Sequence, residues 1–154
     1  MYPQLKLENQ VCFRLYTVSR LLTQAYQPLL QPLGLTYPQY LVMMVLWEKD
    51  KQTVGEISGR LQLDTNTITP LLQRMEKQGI IERCRGVVDS RQTVICLTNN
   101  GRHLEELAKE VPECITKSWQ DPDSAPMDMN QVQQFVSNID SLIVALKKMT
   151  GKSK

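Results

Sequence analysis

Between Val11 and Leu30 the chain reads VCFRLYTVSRLLTQAYQPLL, in which Cys12, Leu15, Ser19, Leu22, Tyr26 and Leu29 recur at alternating steps of three and four. That spacing winds them onto one narrow stripe of an α-helix, repeating every seven residues, and such a seam packs against a partner helix. The helix is expected from about Leu7 to Leu30, stopped by Pro32 and Gly34. The seam opens with a cysteine and carries a tyrosine fourteen residues later. At about 1.5 Å of rise per residue the two stand roughly 21 Å apart, so they cannot touch within one helix. If the two residues meet, they do so across a dimer, for which two antiparallel copies of the helix are one arrangement.

The chain has 154 residues, enough for one compact domain that needs neither disulfides nor metal for its core. A net charge of +2 is too small to argue for nucleic acid by itself. No apolar run approaches the roughly 18 residues of a membrane span, and MYPQLKLENQ lacks a signal peptide's apolar stretch, so a cytoplasmic protein with no membrane partner is expected. Cys12, Cys84, Cys96 and Cys114 include no pair at the close spacing of a zinc knuckle, and His103 stands alone, so no metal and no cofactor are expected. In a reducing compartment Cys84 and Cys96 read as buried small hydrophobes.

After a connector in which Thr36 can cap a helix and Pro38 falls in its first turn, YLVMMVLWEK is apolar on nearly every side and belongs at the centre of the fold. Lys49 to Gln52 should turn the chain. Thr53 then caps a short helix with Val54, Ile57 and Leu61 inward. A second helix follows LQLD and ends at Gly79, with Ile68, Leu71, Leu72 and Met75 inward. Pro70 places the start of that helix near Asn66, because proline suits a first turn whose N–H groups lack partners. Two short helices joined by a tight turn form a helix-turn-helix. Strands at about Ile81–Arg85 and Gln92–Leu97 add a hairpin, which makes the lobe a winged helix. Thr98 caps a long helix, roughly Asn99–Lys117. A proline-containing linker leads to a last amphipathic helix, about Asn130–Met149. The fold class is mainly α with a small β-hairpin wing: one domain over 1–154, with a winged helix-turn-helix at 53–98 and dimerisation helices at 7–31 and 99–150.

The outer face of the second helix carries Thr65, Asn66, Thr67, Thr69, Gln73, Arg74 and Lys77, and its start carries Pro70. The hairpin adds Arg85, Asp89 and Arg91. Threonine and asparagine at a helix N-terminus suit phosphates and base edges, and an arginine at a hairpin tip suits the minor groove. These residues are the candidates for binding double-stranded DNA. One such helix reads only a few base pairs, so a homodimer on a two-fold symmetric operator is expected.

The segments LENQVCFRLY, AYQPLLQPLGLTYPQYLVMMVLWE and LDTNTITPLLQRME, with the hairpin's DSR, resemble the MarR family of winged-helix repressors, and within it the organic-hydroperoxide-sensing OhrR type, over nearly the whole chain. The resemblance implies that Cys12 is a redox-active thiol, hydrogen-bonded by Tyr26 and Tyr37 of the other subunit, with Tyr16 a turn after the cysteine. Phenolic O–H donors would stabilise its thiolate and make it a better nucleophile toward an organic hydroperoxide. It also implies a resolving thiol for the oxidised cysteine, either Cys114 of the second subunit or a small-molecule thiol. The expected function is a repressor released from DNA when Cys12 is oxidised. The alternative keeps the fold and replaces oxidation with a small phenolic or lipophilic ligand in the cleft between lobes. A thiol peroxidase using Cys12 would leave the winged helix without a purpose.

Overall fold

The computed structural model describes residues 2–86, 93–118 and 128–151, which fall into two compact units, 1–115 and 116–154. Two short 3-10 turns, Pro3–Leu5 and Leu7–Asn9, precede helix α1, Val11–Leu30. The helix thus begins four residues later than the sequence suggested. Extended backbone at Gln10, after the second 3-10 turn, separates the two pieces. Of the twenty residues of α1, only Leu30 is buried.

Helix α2, Tyr37–Glu48, starts on the expected cap: the Thr36 side chain accepts from the backbone of Gln39, and the Gln39 side chain accepts from the Thr36 N–H at 2.9 Å. Its Tyr40, Val42, Met43, Val45 and Leu46 are buried in the first unit, together with Leu30, Ile57, Ile68, Leu72, Met75, Ile81 and Ile95 from other elements. The all-round apolar sequence of α2 is therefore accounted for by its central place.

The turn after α2 holds one element that was not foreseen. Gln52–Thr53 forms a two-residue strand, β1. Helix α3, Val54–Leu61, follows with a Thr53–Glu56 capping box, and α4, Thr65–Lys77, begins after Asp64. Pro70 lies inside α4, past its first turn, not at the start. The missing N–H leaves the Asn66 carbonyl without its helical donor. Gly79 takes φ +71°, the left-handed conformation expected beyond the helix end. Strands β2, Ile81–Arg85, and β3, Thr93–Leu97, pair antiparallel, and β1 joins the other side of β3, giving the order β1-β3-β2.

The expected long helix is two: α5, Asn99–Ala108, and α6, Val111–Ser118. Pro112 explains the break. It has no N–H to continue the ladder of α5 and suits the first turn of a new helix. Helix α7, Met129–Met149, is capped by Asp128 with Gln131, and none of its residues is buried within its unit. Val132, Phe135, Val136 and Leu146 on its apolar face are exposed.

The wing's base is tied to the core at one knot. The Thr98 hydroxyl donates to the Gly79 carbonyl at 2.7 Å and accepts from the Gly101 N–H at 3.1 Å, while Trp47 Nε1 donates to the Gly101 carbonyl at 2.9 Å. Gly101 has to be glycine because a Cβ there would collide with the Ile80 carbonyl oxygen. Beside it, Asp50 accepts from the Leu97 N–H at 2.9 Å and pairs with Arg102 at 2.8 Å. Burial pushes the Asp50 carboxyl up, but hydrogen bonds from Leu97, Arg102 and Lys51 and the Arg102 charge outweigh it, leaving the group below its usual 3.8. A depressed carboxylate stabilises the fold above its unfolded pKa and loses that contribution as pH falls through the folded value. Denaturant melts should therefore show wild-type stability dropping more steeply below about pH 4 than that of Asp50→Asn.

Candidate functional site

Helix α1 is continuous from Val11 to Leu30 and carries both Cys12 and Tyr26. The fourteen-residue offset holds them roughly 21 Å apart in one chain. Cys12 is exposed, and so is Tyr16 one turn on. At the other end of α1, Tyr26 meets Tyr37, the first residue of α2, with ring centroids 4.7 Å apart. Tyr26 and Tyr37 are therefore side by side, and both are held away from the Cys12 of the same chain. The Thr36–Gln39 cap fixes the start of α2 and with it the position of Tyr37.

Tyr40 was missed by sequence reading. It is buried, lies 6.0 Å from Tyr26 and packs edge-on to Trp47 at 6.1 Å. Its place one turn after Tyr37 on the same helix was the available signal. Burial raises the Tyr26 phenol above its ordinary value, and the charge of an ionised Tyr37 would raise it further. Burial raises Tyr37 as well. At neutral pH both phenols keep their protons and remain hydrogen-bond donors.

The DNA candidates on α4 divide in two. Thr65, Asn66, Thr67 and Pro70 are exposed and Thr69 half-buried in the N-terminal half of α4, whose first turn is the positive end of the helix dipole, and Gln73 is exposed two turns further along than Asn66. Arg74 and Lys77 are also exposed, but they line a cleft of about 860 Å³ between α1, α2 and α4. Tyr37, Gln24, Gln27, Gln39 and Gln78 line it too, with Gln39 donating to Gln78 at 2.9 Å. Arg85 is exposed at the end of β2, and Arg83 pairs with Glu76 of α4 at 3.3 Å. Asp89 and Arg91 lie outside the described residues.

Cys114 sits on α6 and is exposed. Cys84 and Cys96 are not simply two small hydrophobes. Cys96 is buried and Cys84 half-buried, but their sulfurs are joined across β2 and β3. The hairpin register accounts for this, since Cys84 opposes Val94 and Cys96 opposes Glu82, which puts the two cysteines diagonally on one face. Among the described residues no cluster of His, Cys, Asp or Glu could hold a metal ion, and no helix is long and apolar enough to cross a membrane.

Residues 24–107 match the family model for the transcriptional regulator SarA/Rot. The organic hydroperoxide resistance transcriptional regulator of Bacillus subtilis is 47% identical over 114 residues, covering 74% of this chain and 78% of that protein. Reduced AbfR bound to DNA is similar in structure with TM-score 0.75 and 37% identity, over 96% of both chains. Disulfide-formed AbfR gives TM-score 0.60 and 36% identity, over 91% of this chain and 94% of that one. AbfR is a protein of Staphylococcus epidermidis.

A helix-turn-helix followed by a wing, with relatives of this kind, defines a DNA-binding transcriptional regulator of the winged-helix class, not an enzyme. The chain belongs to the SarA/Rot family, among the MarR-type regulators.

The tyrosine pair can be checked by spectroscopy. In ultraviolet titrations, Tyr37→Phe should lower the pKa of Tyr26, because it removes a neighbouring phenolate that resists the second ionisation. Identical Tyr26 titrations in the two proteins would count against the contact.

Proposed function

We propose that this regulator is a homodimeric repressor that leaves DNA when an organic hydroperoxide oxidises Cys12. The observation that carries the reading is the Tyr26–Tyr37 pair, 4.7 Å apart and held at the far end of the helix from Cys12. Antiparallel pairing of α1 with its copy lays each cysteine beside the second subunit's two phenols. The apolar residues left exposed on α1 and α7 give that pairing its driving force. The Bacillus subtilis relative regulates organic hydroperoxide resistance, and AbfR exists in reduced DNA-bound and disulfide-formed states, which supports a thiol switch here.

The thiolate of Cys12 attacks the terminal peroxide oxygen and the O–O bond breaks; the sulfur is left as a sulfenic acid, and the departing alkoxide takes a proton from water to leave as an alcohol. A second thiol, Cys114 of the other subunit in this reading, then displaces water and leaves a disulfide. Either step puts an added oxygen or a second sulfur where the phenols met the Cys12 sulfur, which a serine hydroxyl at that position does not. The α1 pairing shifts, and two recognition helices that matched one two-fold operator no longer do. On DNA, α4 enters the major groove with Asn66 and Gln73 toward base edges and Thr65 and Thr67 toward phosphates, while Arg85 and Arg91 follow the backbone and minor groove.

The cleft lined by Arg74, Lys77 and Tyr37 favours a second reading, in which a small phenolic or lipophilic ligand controls the same lobes. One variant separates the two. Cys12→Ser should bind operator DNA as the reduced protein does and stay bound after organic hydroperoxide treatment in a gel-shift assay. Normal release of that variant would remove the oxidation reading and leave the ligand one. For DNA contacts, Asn66→Ala should cost about 1–3 kcal/mol of operator affinity. Arg91→Ala should cost a similar amount at most, with a shallower dependence on salt. Unchanged affinity in fluorescence titrations would take either residue out of the interface.

A further inference from the structure

We propose that Cys84 and Cys96 form a second redox-active pair, whose disulfide reversibly staples the stem of the wing within one subunit. It stands apart from the Cys12 reading, because neither Cys12 nor Cys114 takes part. The hairpin register sets the two cysteines two positions out of opposition on the same face of β2 and β3. Their Cα atoms are 6.2 Å apart, inside the roughly 4.4–6.8 Å span that a disulfide bridges without moving backbone. The two strands are fixed relative to each other by a five-residue ladder, Ile81–Leu97 through Arg85–Thr93, so the approach of the sulfurs is built into the sheet.

The two thiols are unequal, which assigns them roles. Cys84 is half-buried on β2, so part of its surface is open to an oxidant. Cys96 is only 2% exposed. Cys84 therefore meets the oxidant and Cys96 resolves it. With an organic hydroperoxide, the Cys84 sulfur takes one oxygen to become a sulfenic acid and the peroxide leaves as an alcohol. Cys96 then attacks that sulfur, its proton leaves with the hydroxyl as water, and the S–S bond forms. Two thiols and one peroxide give one disulfide, one alcohol and one water. Alongside the reduced-thiol pool that surrounds a DNA-binding protein, such a bond is transient and responsive.

The bond closes a loop that contains Arg85, Asp89 and Arg91, the hairpin's DNA candidates, and its β2 side is joined to α4 through Arg83–Glu76. With β2 and β3 stapled, Arg85 at the end of β2 has less freedom to lose on docking than in the open stem. The bond's effect is therefore opposite in sign to that of Cys12 oxidation: it tightens DNA binding.

The test uses the full chain carrying Cys12→Ser and Cys114→Ser, which leaves only Cys84 and Cys96. The protein is reduced, treated with cumene hydroperoxide, alkylated with iodoacetamide in denaturant and weighed, then digested without reductant. Reduced protein should take up two alkyl groups and treated protein none. A peptide joining residues 84 and 96 of one chain should appear, and dithiothreitol should restore both thiols. The bridged form should bind DNA with a Kd about threefold lower than the reduced form. Two alkyl groups on the treated protein, or a bridge between chains, would overturn the pair. Equal or weaker DNA binding by the bridged form would overturn its role in the wing. The same digest of the wild-type chain repeats the thiol test if the double variant folds poorly.

Discussion

A single uninterrupted helix keeps Cys12 and the Tyr26–Tyr37 pair of one chain from ever meeting, and the proposed switch follows from that separation. Helix α1 runs from Val11 to Leu30 with Leu30 as its only buried residue. Most of a helix's stability in a protein comes from packing of its apolar face. Leu15, Leu22, Tyr26 and Leu29 along its seam are only half-buried, and Val11, Phe13, Tyr16, Val18 and Leu21 are exposed. Fully burying one such side chain is worth about 1.5–3 kcal/mol, so covering several of them against a second copy gives the pairing its driving force. In the proposed dimer, the contact that joins the subunits also sets the surroundings of the thiol. A change at one sulfur then acts on the interface directly.

The DNA-reading lobe is built to carry such a change without deforming. Its helices surround α2, which has no polar face to spare, and the wing's base is locked to α2 and α5 by the Thr98, Gly101 and Trp47 hydrogen bonds. Asp50 adds a charged tie from the end of α2 to β3 and Arg102. An element tied at that many points moves as a body, which is what two half-sites at fixed spacing require. Tyr37 belongs to the same framework, since it starts α2. The phenols proposed to sense the thiol are thus part of the rigid core under the recognition helix.

Much of this was legible in the sequence because local chemistry and global fold agree. Thr36 and Thr53 cap the helices they were expected to cap, Gly79 ends α4, and Ile68, Leu71, Leu72 and Met75 are the buried face of that helix. Where the reading missed, a short-range signal was weak or a long-range contact decided. Strand β1 is two residues long and has no periodicity to show; it exists because Gln52 and Thr53 lie against Ile95 and Val94. The break between α5 and α6 was hidden by apolar positions that run on through it, and Pro112 was the clue. Pro70 was assigned to a first turn, yet α4 tolerates it further in. The contact of Cys84 with Cys96 depends on hairpin register, which sequence spacing does not specify. That Tyr26 and Tyr37 serve one thiol is implied only by the resemblance; the contact between their two rings is what the structure adds.

The central claim is that the thiol of one subunit is served by the phenols of the other, and mixed dimers test it directly. One subunit keeps Cys12 but carries Tyr26→Phe and Tyr37→Phe; its partner carries Cys12→Ser with both tyrosines intact. Stopped-flow measurement of the oxidation rate of the single Cys12 by cumene hydroperoxide should give the wild-type value, because that cysteine faces the partner's phenols. A rate as slow as that of the homodimer lacking both tyrosines would contradict the account.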